Sequence, residues 1–370
     1  MNKRFIKSLL ILICLSSSIF LISCSEYNDK ANTSTNINQD KKYNNEEFYE
    51  KEIASNVTVK ANVTIPEVKQ VSILKASKRK FNPLEVKEVM MKNAEVNKTE
   101  EVVEIFGQKM TRTDFQSNSN EVLTVQDGFI DYNQYENYIL GIMRGIDSEL
   151  WKKEELDFMS KDSAIQIAID TCNKLGIDID KNSINTTAID YETLSDEFNK
   201  MVESGMLKPN YLNQEVSKES EAYVIELSAI LKEVPIYSQN ITLQSVDKMI
   251  EGTNIIFIIN KDGVAQFNSY GSIYSIEEIK EENPKLIDIN TAIDTVGSIY
   301  TNIITEDKIT ITDISLEYIP IQNNKNSSEY EMIPSWCFEV EINGFNKKIN
   351  EESKTINYIN INAITGEEII

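Results

Sequence analysis

The chain has no histidine, so its chemistry would rest on four cysteines, at positions 14, 24, 172 and 337, and on 59 acidic side chains. Histidine is the commonest general base and metal ligand, and carboxylates would have to take its place. Glu281–Glu282 and Glu351–Glu352 are adjacent pairs. Neighbours in sequence do not converge on one substrate atom, so both pairs read as solvated charge. Asp178-Ile179-Asp180-Lys181-Asn182 opens like a calcium loop. Its sixth position is Ser183, where glycine is required, and its twelfth is Ile189, where a glutamate should coordinate. Serines, threonines and lysines are plentiful, but no G-x-S-x-G elbow marks a nucleophile. The 12 glycines form no phosphate-cradling loop. The expectation is a protein without catalytic residues, cofactor or metal.

Cys24 differs from the other thiols in its setting. Lys3, Arg4 and Lys7 give a short basic start, and Leu9 to Ile22 is apolar apart from Ser16, Ser17 and Ser18. That is the layout of an export signal. It falls short of the about 20 apolar residues of a membrane span. Leu21-Ile22-Ser23-Cys24 resembles the end of a bacterial lipoprotein signal. The resemblance implies that Leu21, Ile22 and Ser23 are read by the signal peptidase and that Cys24 carries a diacylglyceryl group. Two acyl chains anchor a protein stably where one does so marginally. An ordinary cleaved signal and an uncleaved anchor are the alternatives, although Leu21 and Ile22 suit an ordinary peptidase poorly. All three place the bulk of the chain outside the cytoplasm, and the lipid on Cys24 would hold it on the outer face of the cell membrane.

Cleavage before Cys24 removes residues 1–23 and leaves 347 of the 370 residues, enough for two domains. It takes three of the 37 basic residues and none of the acidic ones, so the formal charge moves from −22 to −25. Such a chain repels nucleic acid, whose binding depends on neutralising phosphates. The acidity reads as a solubilising surface, or as the mark of a cationic partner or of diffuse calcium binding. Cys172 and Cys337 sit among apolar residues. They are buried small hydrophobes or, in an exported protein, a disulfide.

Residues 24–53 are rich in Asn, Lys, Glu, Ser and Thr and predict a disordered tether. Val57, Val59, Ala61, Val63 and Ile65 alternate as a half-buried strand does. Val71–Leu74 is a second short strand. Asn82-Pro83-Leu84-Glu85 predicts a capped helix start. Asp127-Gly128 predicts a hairpin turn, and Tyr135–Ile146 fits either strand or helix. Ser160 and Gly176 bracket the clearest helix, whose apolar face is Ala164, Ile165, Ala168, Ile169, Cys172 and Leu175. Asn290 predicts the cap of another, with Ala292, Ile293, Val296, Ile299 and Tyr300 on one face. Ile189-Asp190-Tyr191 follows the first helix at the distance at which Leu316-Glu317-Tyr318 follows the second. This suggests an internal duplication with a period of about 128 residues. Between the helices, Ala222–Leu231 alternates until Val234-Pro235, and Asn254–Ile259 turns through Asp262-Gly263 into Val264–Tyr270. Charged residues 279–285 with Pro284 predict a boundary between an N-terminal region, 54–283, and a C-terminal module, 284–370. The last module ends in strands at Lys308–Ile321, Met332–Ile342 and Thr355–Asn362. The fold class is α+β, antiparallel sheet with a packed helix per unit.

The closing run Asn362-Ala363-Ile364-Thr365-Gly366-Glu367 resembles the last hairpin of PepSY-type domains, and the helix near Asn290 resembles their opening helix. Ile333-Pro334-Ser335-Trp336-Cys337-Phe338 is similar to the P-x-W-x-F strand of related exported proteins, among them membrane-anchored regulators of a cell-wall sensor kinase. The mature chain also resembles an uncharacterised lipoprotein family of Gram-positive anaerobes. The resemblance implies tandem PepSY-like modules that bind or restrain another envelope protein, and it carries no catalytic residues. Pro334 and Trp336 are then a possible partner surface; the bland reading buries Trp336 beneath the sheet with Pro334 at an edge. The leading expectation is a non-catalytic envelope lipoprotein held to the membrane through Cys24. A solute-binding lipoprotein is the alternative, and a carboxylate hydrolase is the third class.

Overall fold

Period-two alternation runs through most of the chain from Glu47 onwards, and the backbone answers with strands. The computed structural model describes residues 47–369 apart from positions 69, 93, 106–107, 135–145, 147–149, 209–215, 244–247, 303–306, 323–327 and 347–350. The signal, the Leu21–Cys24 motif, the tether up to residue 46 and nearly all of the ambiguous Tyr135–Ile146 stretch lie outside the described residues.

The first strands are β1 (Glu47–Ala54), β2 (Val57–Thr64) and β3 (Ser72–Lys78), followed by helix α1 (Pro83–Met90). Next come β4 (Val96–Ile105), β5 (Gln108–Ser117), β6 (Val122–Gln126) and β7 (Phe129–Asn133). Helix α2 (Lys161–Leu175), β8 (Asn185–Ile189) and helix α3 (Tyr191–Glu203) follow. Then come β9 (Ala222–Leu227), β10 (Ile230–Leu231), β11 (Val234–Pro235), β12 (Asn240–Leu243) and β13 (Lys248–Glu251). The chain continues through β14 (Thr253–Asn260), β15 (Gly263–Gly271), β16 (Tyr274–Glu282) and helix α4 (Ile289–Thr301). It closes with β17 (Lys308–Gln322), β18 (Glu329–Asn346) and β19 (Glu351–Asn362).

The fold is α+β. One sheet runs β1-β2-β17-β18-β3-β16, with β19 added to β18 and the β12–β13 hairpin added to β17. The second runs β4-β5-β6-β7-β15-β14-β9-β8. Among the described strand pairs only β2 and β17 run parallel. The predicted division at 283/284 does not separate sheets: β2, β3 and β16 precede it and β17–β19 follow it, in one sheet. The charged stretch behind that prediction is half strand. Residues up to Glu282 belong to β16, an edge strand whose register slips twice against β3. Bulges and exposed glutamates on an edge discourage pairing with other chains.

Local signals hold where they are self-contained. Asn82 caps α1 by accepting from Leu84 N, with Pro83 at the first helical position. Ser160 accepts from Ser163 N at the start of α2, and Gly176 ends it at φ 66°. Asp288, two residues before the expected Asn290, caps α4 by accepting from Asn290 N at 2.8 Å. Other expectations are corrected. Residues 47–53, expected as tether, form β1 because α4 supplies their partners. Tyr49 donates to Asn290, Lys51 pairs with Asp294 at 2.8 Å, and Ile53 lies against Gly297, where a Cβ would meet it at 2.7 Å. Asp190 and Tyr191 cap and open α3, whereas Glu317 and Tyr318 lie inside β17, so the matched triplets adopt different local structures. Val234-Pro235 does not simply break the preceding strand. It folds back on Ile230–Leu231 through Lys232 and Glu233, both at positive φ.

The helices bury their faces on the sheets. Ala164, Ala168, Cys172 and Leu175 of α2 join Ile255, Phe257 and Ile259 of β14 in the main core. The alternate residues Ile256 and Ile258 pack with Leu194 of α3 on the other face. Burial on both faces explains why Asn254–Ile259 reads as a continuous apolar run. In the first sheet, Ala292, Ile293, Val296 and Tyr300 of α4 pack with Val57, Val59, Ile314, Leu316, Phe338 and Ile361. The opposite face of that sheet carries polar side chains beside a small apolar cluster of Tyr237, Ile250, Ile319, Ile321 and Cys337.

Candidate functional site

Cross-strand partners share a face, so register decides which side chains meet. On the face turned away from α4, Asp313 pairs across β18 with Glu339, which pairs across β19 with Tyr358. The next row is Ser315, Cys337 and Asn360; the third is Glu317, Ser335 and Asn362. A bulge between Ile311 and Asp313 sets this alignment. Without the extra residue, Asp313 and Glu317 would point into the core. Tyr237 reaches the same face from outside the three strands. Its backbone N donates to Tyr318 O at 3.0 Å, in the stretch of β17 between its partners β2 and β13. Its ring packs with Ile319 and Cys337.

The electrostatics are one-sided. Burial pushes the Asp313 carboxyl up to about 6, with the Glu339 charge adding to it. Burial likewise raises Glu317 to about 7; the hydrogen bond from Ser315 Oγ, 2.6 Å long, works against this and Asp313 works with it. No cation contributes to either shift. Among the described lysines near this row, Lys60 pairs with Glu50 at 3.3 Å and Lys354 with Glu341 at 2.6 Å, and Lys308 lies near enough to Glu341 to lower it. Thr312 Oγ1 donates to Glu339 Oε1 at 3.0 Å. Cys337 is pushed well up, first by burial and then by Glu317 and Asp313, so its thiol stays protonated.

Two buried polar groups border these carboxyls without partners. Tyr237 is 4% exposed and Asn360 2%; the Tyr237 hydroxyl and Asn360 Oδ1 both lack a hydrogen bond. They lie beside each other: burial pushes the Tyr237 hydroxyl up, the neighbouring Asn360 amide works against this, and Cys337, Glu317 and Tyr358 add to it. Buried polar atoms are normally satisfied, so two adjacent exceptions need a reason. The result is an acceptor-rich patch. Asp313 and Glu317 lie four residues apart on one strand, roughly 13 Å between Cα atoms at about 3.3 Å per residue. That is too far for the pair to share a proton or attack one bond from two sides.

The surrounding surface is apolar in places. Phe345 (52% exposed), Ile356 and Tyr358 (44%) lie on this same face of the β18–β19 ribbon, and Phe48 (60%) lies across the sheet on β1.

Pro334 and Trp336 offer no partner surface, because both are buried. The Trp336 indole lies in the core and donates to Ile287 O at 3.4 Å. Pro334 sits where β3 stops pairing with β18 at Met332 and β19 takes over at Ser335. Its missing N–H faces that junction, on the side where its carbonyl accepts from Ala363 N. Cys172 and Cys337 are both free and buried. Asp313, Glu317, Tyr237 and Asn360 were not singled out from sequence. Thr-Asp-Ile-Ser-Leu-Glu does show carboxylates in step with buried aliphatics. Nothing in sequence ties Tyr237 to them.

No family model and no curated protein matches the chain. Among solved structures, it is similar to an uncharacterized protein from Eubacterium rectale ATCC 33656, with a crystal structure at 1.45 Å resolution. The TM-score is 0.67 at 14% identity, covering 87% of this chain and 93% of that one. The likeness is one of fold.

Proposed function

We propose that this chain is a non-catalytic, lipid-anchored protein of the cell envelope. It would be held through Cys24 on the outer face of the cytoplasmic membrane, where it contacts another envelope protein. The observation that carries the contact is the open face of the first sheet. An acidic centre there is flanked by exposed Phe48, Phe345, Ile356 and Tyr358. Several large apolar side chains exposed on one face are typical of interaction surfaces. The anchor rests on the Leu21–Cys24 resemblance. The finer reading of two PepSY-like units rests on the closing motif and on helix-then-strand order in both sheets, α2 before β8 and α4 before β17. No helix among the described residues is long and apolar enough to cross a membrane.

The test is site-specific photocrosslinking in intact cells, with the reactive group at Tyr358 or, as a control, at Val102 on the second sheet. Val102 is 71% exposed. One envelope protein captured from Tyr358, absent from Val102 and absent when Cys24→Ala removes the anchor, supports the reading. Equal capture from both positions overturns it. The second reading, a solute-binding lipoprotein, is favoured by the unpartnered Tyr237 and Asn360 side chains.

A further inference from the structure

We infer that the patch formed by Asp313, Glu317, Tyr237 and Asn360 binds an organic cation, an ammonium or guanidinium group. The argument starts from what the patch lacks. Among the described residues no lysine or arginine acts on half-buried Glu317 or Asp313, although a charged carboxylate is costly to desolvate unless paired. The Tyr237 hydroxyl and Asn360 Oδ1 are buried with no hydrogen bond. Their acceptors and the Glu317 carboxyl are what a multi-proton donor would satisfy together, while Asp313, two rows along β17, adds longer-range attraction. An ammonium offers three donors and a guanidinium five, neither with an acceptor. Among the described residues no group of three or more carboxylates or thiols is placed to hold a metal ion, so the donor set favours an organic cation. Half-buried Asp313 and 44% exposed Tyr358 give the approach from solvent.

Binding is linked to protons. The titratable groups acting on Glu317 are Asp313 on its own strand, Cys337 on β18 and Tyr237, with Glu339 and Tyr358 farther along the same face. Each is neutral or negative, so none favours the charged form of Glu317. A bound cation does, and near pH 7 its arrival expels the proton that burial holds there.

The cation has two sources, a free small molecule or a basic side chain of the envelope partner. The latter case rests on the function proposed above. Isothermal titration of the full chain in detergent separates them, using agmatine and spermidine in one arm and blocked acetyl-Ala-Arg-Ala-amide in the other. Runs at pH 7 in two buffers of different ionisation enthalpy read out proton release. The expected result is saturable binding in at least one arm with release of up to one proton. Glu317→Gln and Tyr237→Phe should each weaken it at least tenfold and fivefold respectively. Both variants keep side-chain volume, and circular dichroism checks their fold. Agmatine or spermidine binding assigns a free ligand. Binding of the peptide alone assigns a partner's arginine. No saturable binding in either arm, or binding unchanged by both substitutions, overturns the inference. The crosslinking test of the proposed function is unaffected by that failure.

Discussion

Lys78 and Glu251 meet at 2.8 Å with both side chains only 12% exposed, at the seam between the two sheets. Glu251 ends β13 in the first sheet, and the chain passes through Gly252 directly into β14 of the second. Its carboxylate also accepts from Ser272 Oγ at 2.5 Å, in the link from β15 to β16, and from Tyr330 Oη at 2.7 Å on β18. Its backbone carbonyl accepts from the Tyr274 hydroxyl, whose ring meets that of Tyr330 edge-on at 4.9 Å. Lys78 lies 5.9 Å from the centre of the Tyr330 ring. One largely shielded carboxylate therefore joins the crossover strands that hold the sheets together.

Breaking this pair should cost far more than deleting it. A buried charge left without its partner typically loses about 3–5 kcal/mol, whereas replacing both partners by apolar groups can be near neutral. Lys78→Met and Glu251→Leu should each lower the urea unfolding midpoint strongly. The double variant should recover much of the loss. Strictly additive losses in this cycle would show that the pair is not coupled.

Gly252 is the next constraint along the chain. A Cβ there would meet Tyr237 O at 2.3 Å and Gln239 O at 2.5 Å, both backbone atoms that no rotamer change can move. The contact closes the seam, since Thr253 N donates to Tyr237 O at 2.8 Å. Gly252→Ala should destabilise the fold by at least about 2 kcal/mol through overpacking. Because it pushes on Tyr237, it should also change near-ultraviolet dichroism from tyrosine. A melting temperature within a degree of the parent would refute the close approach.

What the sequence revealed divides by range. The α1 and α2 caps were readable because Asn82-Pro83 and Ser160…Gly176 satisfy their own helix ends locally. The β14–β15 hairpin was readable because its turn residues lie beside the strands it joins. Three things were not readable. The parallel pairing of β2 with β17 joins the two ends of the chain. Helix α3 was missed because Ile189-Asp190-Tyr191 looks like strand, although Leu194, Phe198 and Met201 carry helical spacing. The acceptor-rich patch depends on a bulge in β17 and on where Tyr237 is laid down, and neither leaves a mark in local spacing.

The β10–β11 hairpin turns through Lys232 at φ 48° and Glu233 at φ 68°. A two-residue turn with both centres left-handed favours Asn or Gly, and other L residues lose about 1–2 kcal/mol each there. Glu233→Gly should therefore stabilise the chain by up to about 1 kcal/mol, the gain being reduced by glycine's freedom in the unfolded state. Thermal denaturation at constant pH measures it. A lower melting temperature would mean that the Glu233 side chain supplies a contact outweighing the strain.

The raised carboxyls predict an unusual pH dependence. Glu317 titrates at about 7 in the fold against an ordinary value near 4.5, and Asp313 at about 6 against 3.8. Between those limits the folded chain holds protons that the unfolded chain has released, so stability falls as pH rises through this window and levels off above it. Glu317→Gln removes the ionisation. It should leave stability near that of the parent at pH 4.5 and raise it by on the order of 2 kcal/mol at pH 8. Asp313→Asn should give a smaller gain that is complete by about pH 7. Paired surface carboxylates act in the opposite direction and lower down. Glu192, for example, is held at about 2 mainly by the hydrogen bond from Lys153, so it does not blur the window. Urea titrations from pH 4.5 to 8 would decide the matter. A gap between parent and Glu317→Gln that stays constant with pH would remove the case for a desolvated carboxyl without a cation beside it. A gap that widens with pH would mean that the native glutamate lowers stability at neutral pH, a cost that a cation bound beside it would offset.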